Sequence, residues 1–193
     1  MNVGELKEQI VSLGFESDAV LTDSNYTKVI RDGINRALRR ICVEFPLIGS
    51  YEVSYDGTGD ELDKIDFSDV SDFDVLLNAT IEKEVDGRIQ VLPFADFKVI
   101  QDKIVYINQD VDGTVTFFYR KRPTQITLTS ADSDQVDIEY KAEPLLALLA
   151  SYFIWIDDDR EKASLWYNEY TDERDMIFAT SQTPKTLSFV GGV

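Results

Sequence analysis

Apolar residues recur at helical spacing near the start of the chain. Leu6, Ile10 and Leu13 fall on one face of a helix. Asn2, with Glu5 three residues later, has the spacing of a capping box, in which each side chain accepts a hydrogen bond from the other residue's backbone N–H. The pattern therefore predicts a short first helix that begins directly after Asn2.

A second and longer apolar stripe predicts a helix from about Asn25 to Glu44. Pro46 ends it, because proline lacks the backbone N–H that an interior helical position needs. The opposite face carries the main concentration of basic residues, which are Lys28, Arg31, Arg36, Arg39 and Arg40. A solvated helix face explains these residues. The alternative is an inter-subunit contact surface for an acidic neighbour, for which an identical subunit is the obvious candidate.

Between about Leu47 and Val136 the apolar spacing changes from helical to alternating, which is typical of β-strands. Val, Ile, Tyr, Phe and Thr are frequent here, and these residues favour strands. We therefore predict an antiparallel sheet or small sandwich. The predicted details are a hairpin turn at Val85-Asp86-Gly87, a short helical excursion over residues 93–100, and a second hairpin in which strands 103–107 and 114–120 flank residues 108–113.

Helical spacing returns near Glu143, where Pro144 suits a first helical position. The acidic run 157–159 then interrupts the apolar pattern and predicts the cap of a last helix, from about Arg160 to Ala179. Residues 180–193 contain few large apolar side chains, so they predict a flexible C-terminal arm. A frayed terminus and an arm that adds to a partner as a strand, through Leu187, Ser188, Phe189 and Val190, both fit this composition.

These patterns together predict an α+β fold. N-terminal and C-terminal helices form a bundle, and an antiparallel β-sheet or small β-sandwich is inserted between them. The expected organisation is a helical domain of residues 1–46 and 143–179, a β-rich subdomain of residues 47–142, and an arm of residues 180–193. A chain of 193 residues is long enough to bury a core of this kind.

The net charge of −17 changes the expected partners. A compact protein this acidic repels the DNA backbone, so sequence-specific nucleic-acid binding is not expected. Three interpretations of the acidity stay open. It provides solubility alone, it forms a channel wall along which DNA slides without sticking, or it mimics DNA and blocks a nucleic-acid enzyme.

Enzymatic chemistry is disfavoured by what the chain lacks. Histidine is absent, which removes the commonest general base and transition-metal ligand. Cys42, the one cysteine, lies in an apolar helical pattern and is interpreted as a core residue. Residues 108–113 resemble half of a calcium loop, but Tyr119 occupies the twelfth position, where a glutamate is needed. We therefore predict no catalytic residue, cofactor or metal, and rank a carboxylate-based hydrolase last.

The N-terminus has neither a basic n-region nor an apolar h-region, and no stretch approaches the roughly 20 apolar residues of a membrane span. We expect residence in a reducing cytoplasm, with no disulfide within the chain and no membrane partner.

Three stretches resemble the head-to-tail connector (adaptor) proteins of tailed bacteriophages, including the tail tubular protein A group of podoviruses. They cover about half of the chain and contain no catalytic signature. They are residues 25–46 with Ile34-Asn35-Arg36-Ala37-Leu38-Arg39-Arg40-Ile41, residues 115–126 with Phe118-Tyr119-Arg120-Lys121-Arg122-Pro123-Thr124, and residues 143–170 with Leu145-Leu146-Ala147-Leu148-Leu149-Ala150-Ser151-Tyr152. The acidic stretch 56–74 matches nothing in these proteins.

The resemblance implies a structural virion protein in the neck, present in the host cytoplasm during assembly. It implies a ring, usually of twelve copies, beneath the portal protein and bound to tail or other neck proteins, which lines the DNA channel and retains DNA until ejection. Leu187 to Val190 would be the portal-binding arm. We expect the isolated protein to be a monomer or weak oligomer. The alternatives are another neck component, such as a stopper or tail terminator, and an acidic DNA-mimic inhibitor.

Overall fold

A computed structural model describes residues 1–15, 17–59 and 61–181, which form the predicted α+β fold. The helices are α1 (Val3–Gly14), α2 (Ser24–Glu44), α3 (Glu143–Trp155) and α4 (Arg160–Ser181). The strands are β1 (Ile48–Asp56), β2 (Leu62–Asp66), β3 (Phe73–Val85), β4 (Arg88–Phe94), β5 (Phe97–Ile100), β6 (Ile104–Asn108) and β7 (Asp112–Lys121). Of the predicted arm, residues 180 and 181 end α4, and the remainder lies outside the described residues.

The chain forms two compact units. The helical unit contains residues 1–41 and the chain from residue 125 onward, and the β-rich unit contains residues 42–124. These bounds differ from the borders expected after residues 46 and 142. At the second border the difference arises because the last strand ends at Lys121 and the chain from residue 125 packs with the helices. At the first border the last residues of α2 group with the β-rich unit.

The helix ends follow the capping chemistry that the sequence predicts. Asn2 Oδ1 accepts from the Glu5 N–H at 2.8 Å, and Glu5 Oε2 accepts from the Asn2 N–H at 2.9 Å, so the capping box is present. Pro144 lies in the first turn of α3. Asp159 caps α4, since its Oδ1 accepts from the Lys162 N–H at 3.0 Å. Local sequence therefore fixes where these helices begin.

The core of the helical unit is built around α3, which is apolar on most of its surface and packs against both α1 and α4. Leu145 and Leu146 are fully buried. Helix α2 passes α3 at Gly33, where an added Cβ would lie 2.6 Å from Cγ1 of Ile154 and 3.2 Å from the carbonyl oxygen of Ala150. The glycine thus permits a closer approach of the two helices than any larger residue allows.

Asn35 joins α2 to the chain that follows the β-rich unit. Its side chain is buried, donates from Nδ2 to the Ile126 carbonyl at 2.8 Å, and accepts at Oδ1 from the Ile126 N–H at 2.9 Å. One amide thus satisfies both backbone groups of a buried residue that belongs to neither helix nor strand.

Asn35→Ala is expected to lower the free energy of unfolding by about 2–4 kcal/mol, because two backbone groups of Ile126 lose their partner in a buried site. Urea unfolding followed by circular dichroism measures the loss. Asn25→Ala, in the exposed first turn of the same helix, is the matched control and should have little effect. Equal effects of the two substitutions would contradict this role of Asn35.

The β-rich unit is a sandwich of two antiparallel sheets, with strand orders β1-β7-β3-β4 and β2-β6-β5. Both sheets contribute to one core. Its buried members are Ile65, Phe67, Phe73, Ala79, Ile81, Val105, Ile107, Val111, Val115, Phe117 and Tyr119. The small sandwich is thus one of the two predicted arrangements.

The predicted hairpin at residues 85–87 is confirmed as the connection of β3 to β4. Asp86 and Gly87 both have positive φ values, of 53° and 75°, as the two central residues of a tight type I′ turn require. The predicted helical excursion over residues 93–100 is wrong. The end of β4 and the whole of β5 occupy it, because Phe94 pairs with Ala79 and residues 97–100 pair with β6.

The second predicted hairpin is also wrong. Strands β6 and β7 follow one another in sequence, but β6 pairs with β2 and β5, and β7 pairs with β1 and β3. The connection passes from one sheet to the other, and Val111 within it is buried in the shared core. Burial of that side chain explains why the connection forms a corner between sheets rather than a turn within one.

Candidate functional site

The helical unit presents a basic surface on α2. The side chains predicted for it, Lys28, Arg36, Arg39 and Arg40, are exposed, and that of Arg31 is partly buried. The helix buries its opposite face, which includes Ile30, Ile34 and Leu38. The structure therefore brings all five predicted cations onto the outward part of one helix.

Local contacts hold several of these cations in place. The Arg36 guanidinium lies 4.4 Å from the ring centroid of Phe153, and Arg39 Nε donates to the Asn35 carbonyl at 3.1 Å. Arg31 pairs with its neighbour Asp32 at 2.6 Å. Lys28 makes no hydrogen bond or ion pair with any described residue. An aromatic ring and a helix carbonyl thus already restrain the rotamers of two arginines.

The same unit also presents an acidic surface at the turn between α3 and α4 and along α4. Its exposed carboxylates are those of Asp157, Asp158, Asp159, Glu161, Glu169, Asp172 and Asp175. Arg174 offsets this charge in part, since it pairs with Asp175 at 2.8 Å. The Lys162 ammonium lies over the Trp155 ring, 3.8 Å from the centroid, and donates to the Gly14 carbonyl. The helical unit thus carries two surfaces of opposite charge.

The acidic stretch at residues 56–74 is used largely for local structure in the β-rich unit. Asp74 pairs with Arg120 at 2.7 Å, and Asp72 pairs with Lys121 at 3.2 Å. The Thr58 hydroxyl and N–H donate to Asp56 and hold the pKa of that carboxyl below its usual range. The Ser68 N–H does the same for the pKa of Asp66. A general acid needs a raised carboxyl pKa, so neither residue suits that role.

Two tyrosines donate hydrogen bonds to carboxylates of the same acidic stretch. Burial, followed by the bond to Asp63, raises the pKa of Tyr55, whose hydroxyl donates to Asp63 at 2.8 Å. Burial and Asp72 raise the pKa of Tyr119 in the same way, at a distance of 3.1 Å. Both hydroxyls therefore stay protonated and act as donors to a carboxylate, which is a structural arrangement.

A cleft of about 850 Å³ lies within the helical unit, between α1, α4 and the first turns of α3. Among the described residues, three carboxylates line it, those of Glu5, Glu143 and Glu173, and two of them are held by partners. Glu5 accepts from the Asn2 N–H at 2.9 Å, and Glu143 accepts from the terminal amine of Met1 at 2.7 Å. The cleft therefore lacks a free convergent carboxylate pair at these two positions, which glycoside hydrolysis would need.

The candidate metal ligands of the described residues, 1–15, 17–59 and 61–181, are scattered carboxylates and Cys42. Within these residues, no group of three or more His, Cys, Asp or Glu side chains could hold a metal ion. Residues 108–113 comprise the end of β6, the three-residue connection 109–111 and the start of β7, so strands lie on both sides where a calcium-binding loop needs two helices.

The free sheet edges are the feature that the sequence interpretation missed. Strand β4 ends the four-stranded sheet and exposes Ile89 (76%) and Val91 (58%), and β1 ends it on the other side. Alternating apolar residues do not distinguish an edge strand from a central one, so Pro93 was the only local signal available. Leu187, Ser188, Phe189 and Val190, the predicted arm contact, lie outside the described residues.

No α-helix within the described part of the chain is long and apolar enough to span a bilayer. Comparison with known proteins gives one family match. The family described as SU10 adaptor protein matches residues 1–188. No curated protein matches the chain.

Proposed function

The chain belongs to the SU10 adaptor protein family, and on this premise we propose that it forms a ring beneath the portal of a tailed bacteriophage. The family makes it a structural adaptor of the phage head–tail connection and a virion component that associates with portal and tail proteins. The match over residues 1–188 is the observation that carries the proposal. The finer likeness to the podovirus tail tubular protein A group stays a prediction, as does a ring of twelve copies.

Charge within the helical unit supports the ring. A ring closes through head-to-tail contacts, in which each copy uses two different surfaces. The basic surface of α2 and the acidic surface of the α3–α4 turn and α4 are two such surfaces. We propose that the basic surface of one copy contacts the acidic surface of the next, through the helical connector domain of residues 1–46 and 143–179.

The remaining charge suits a DNA conduit. With a net charge of −17, most of the ring's surface repels phosphate, and repulsion lets DNA pass without binding. In this proposal the β-rich subdomain of residues 47–142 faces outward or toward the next neck component. The arm of residues 180–193 reaches the portal through Leu187, Ser188, Phe189 and Val190. The portal drives ring closure, since the isolated chain is a monomer or weak oligomer.

The ring contact is tested by reversing charge on the basic surface. Lys28→Glu with Arg39→Glu is expected to reduce incorporation into purified particles, and the titre of infectious phage, by about tenfold or more, because like charges across an interface cost several kcal/mol. Lys98→Glu with Lys141→Glu makes the same change in net charge at two other exposed lysines and is the matched control. Quantitative mass spectrometry of the particles measures incorporation.

A compensating variant makes the test specific. Glu169→Lys with Asp172→Lys, on the acidic surface of α4, should restore incorporation when combined with the reversed α2 residues. Equal incorporation of the α2 variant and its lysine control would contradict the ring contact. Absence of the unaltered protein from purified particles would contradict the proposed function itself.

A further inference from the structure

The two ends of the four-stranded sheet point to a second contact between copies. We propose that in the assembled ring β4 of one copy pairs with β1 of its neighbour, so that the sheet continues from copy to copy. This inference rests on the proposed function, because it assumes that the copies meet head to tail.

Both strands have an unpaired edge within the described residues. Strand β1 pairs with β7 along its whole length, from Ile48 opposite Arg120 to Asp56 opposite Asp112, and with no other strand. Strand β4 pairs with β3 alone, from Arg88 opposite Val85 to Phe94 opposite Ala79. An edge of seven to nine residues presents a row of backbone N–H and C=O groups, which is a template for another strand. On β4 this row lacks one donor, because Pro93 has no backbone N–H.

The core of the sandwich is incompletely covered at these same edges. Leu92 lies opposite buried Ile81, and Tyr51 lies opposite buried Phe117, so both side chains are on the core-facing side of the sheet. Leu92 is nevertheless 42% exposed and Tyr51 39% exposed. Pairing of β4 with a neighbouring β1 sets these two side chains next to one another and removes apolar surface of both from water.

The chemistry of the two edges is complementary. Strand β4 contains Arg88 and no acidic residue, whereas β1 contains Glu52 and Asp56 and no basic residue. The solvent-facing side of β4 adds Ile89 and Val91, large apolar residues that are unusual on a free edge. The edges of two β1 strands would repel each other, and those of β1 and β4 attract.

The number of strands also favours the head-to-tail pairing. Neighbouring strands in the order β1-β7-β3-β4 are all antiparallel, so β1 and β4 run in opposite directions. If neighbouring copies are related by a rotation that leaves the direction of each strand unchanged, β1 of the next copy runs antiparallel to β4. The alternation of strand directions then continues from one copy to the next. Pairing of two β4 strands about a two-fold axis would leave both β1 edges free and could not propagate around a ring.

Cysteine cross-linking tests the pairing in the assembled particle. Full overlap of β4 with a neighbouring β1 places the central residues Val91 and Glu52 opposite one another, on the same solvent-facing side. Glu52→Cys with Val91→Cys is expected to form disulfide-linked oligomers in particles under oxidising conditions, seen as a ladder on non-reducing gels. Within one chain these two positions are three strand spacings apart, about 14 Å, which is too far for a disulfide.

Neighbouring positions test other registers of the pairing and provide a negative control. Ser50→Cys or Ser54→Cys in place of Glu52→Cys covers a slip of two residues in either direction. Glu82→Cys with Glu52→Cys should remain unlinked. Glu82 lies opposite Val91 on β3, so it is one strand spacing farther than Val91 from β1 of the neighbouring copy. Native Cys42 is 3% exposed, so it does not compete.

The outcomes separate this inference from the proposed function. Dimers from Val91→Cys alone would show two-fold pairing of β4 and overturn the head-to-tail pairing. Particles that contain the variant chains but yield no ladder with any of the three β1 positions would overturn the inter-subunit sheet and leave the adaptor function standing. Absence of the unaltered chain from purified particles would count against the proposed function.

Discussion

Phe67→Ala is expected to lower the free energy of unfolding of the β-rich unit by about 3–5 kcal/mol. Phe67 is 1% exposed and lies where both sheets meet. Its ring stacks on Phe73 with centroids 4.8 Å apart and meets Phe117 edge-on at 5.9 Å. Truncation removes the apolar burial and leaves a cavity between two sheets that cannot easily close, because backbone pairing fixes the strands.

The measurement uses far-ultraviolet circular dichroism during urea unfolding, which reports on the secondary structure of both units, beside tryptophan fluorescence, which reports on the helical unit alone. Phe67→Leu is the matched control, because it keeps an apolar side chain of intermediate volume and should cost distinctly less than the alanine substitution. The exposed Val99 of β5 provides a second comparison, and Val99→Ala should change stability little. An alanine substitution at Phe67 that costs no more than the one at Val99 would show that the ring is not central to this core.

Gly33→Leu is the second substitution with a large expected effect, a loss of about 3 kcal/mol or more from the helical unit. Even the Cβ of alanine would lie 2.6 Å from Cγ1 of Ile154 and 3.2 Å from a backbone oxygen of Ala150. The side chain of Ile154 can shift, but the carbonyl cannot move without displacing α3. The higher helix propensity of leucine compared with glycine stabilises α2 by only about 1 kcal/mol, which is too little to offset the displacement.

Tryptophan fluorescence is the appropriate probe, because Trp155 and Trp166 are the two tryptophans of the chain and both belong to the helical unit. Lys28→Leu, at an exposed position of the same helix whose side chain makes no hydrogen bond or ion pair with a described residue, adds the same side chain without the clash and is the control. Ile154→Ala combined with Gly33→Ala should be less damaging than the sum of the two single substitutions, since one makes room for the other. Strict additivity would contradict a direct contact at this crossing.

The two large effects concern different aspects of an adaptor. Loss of the α2–α3 crossing should disturb the helix that carries Lys28, Arg31, Arg36, Arg39 and Arg40, and therefore the proposed charge contact. Loss of the aromatic core should disturb the sheet whose edges we propose to join. Comparing how far the Gly33→Leu and Phe67→Ala variants are incorporated into particles therefore indicates which unit limits assembly.

Short-range chemistry explains the parts of the fold that could be predicted from the chain alone. A helix buries residues three and four apart, so the stripe of α2 and its basic face follow from spacing within one segment. The Asn2–Glu5 capping box and the Asp159 cap involve residues at most three positions apart. The Asp86-Gly87 turn required only two residues that tolerate positive φ.

Long-range contacts explain what could not be predicted. Alternation identified strand-like stretches, but it did not show that β6 and β7 belong to different sheets or that residues 97–100 pair with β6. The two hydrogen bonds between Asn35 and Ile126 join positions 91 residues apart, and nothing local distinguishes Asn35 from a solvated polar residue. Which carboxylates pair with Arg120 and Lys121 likewise depended on the strand register.

The sequence by itself thus determined the helix positions, the α+β class, the strongly acidic charge and the basic face of α2, because each depends on composition or on residues within a turn or two of one another. Only the tertiary structure decided the strand order and hence which strands are edges. The side-chain pattern of a strand repeats every two residues, whether the strand has one neighbouring strand, as at an edge, or two, as in the centre of a sheet. The pairing of distant strands is settled by the packing of one shared core, to which β1 and β4 bring side chains that remain partly exposed.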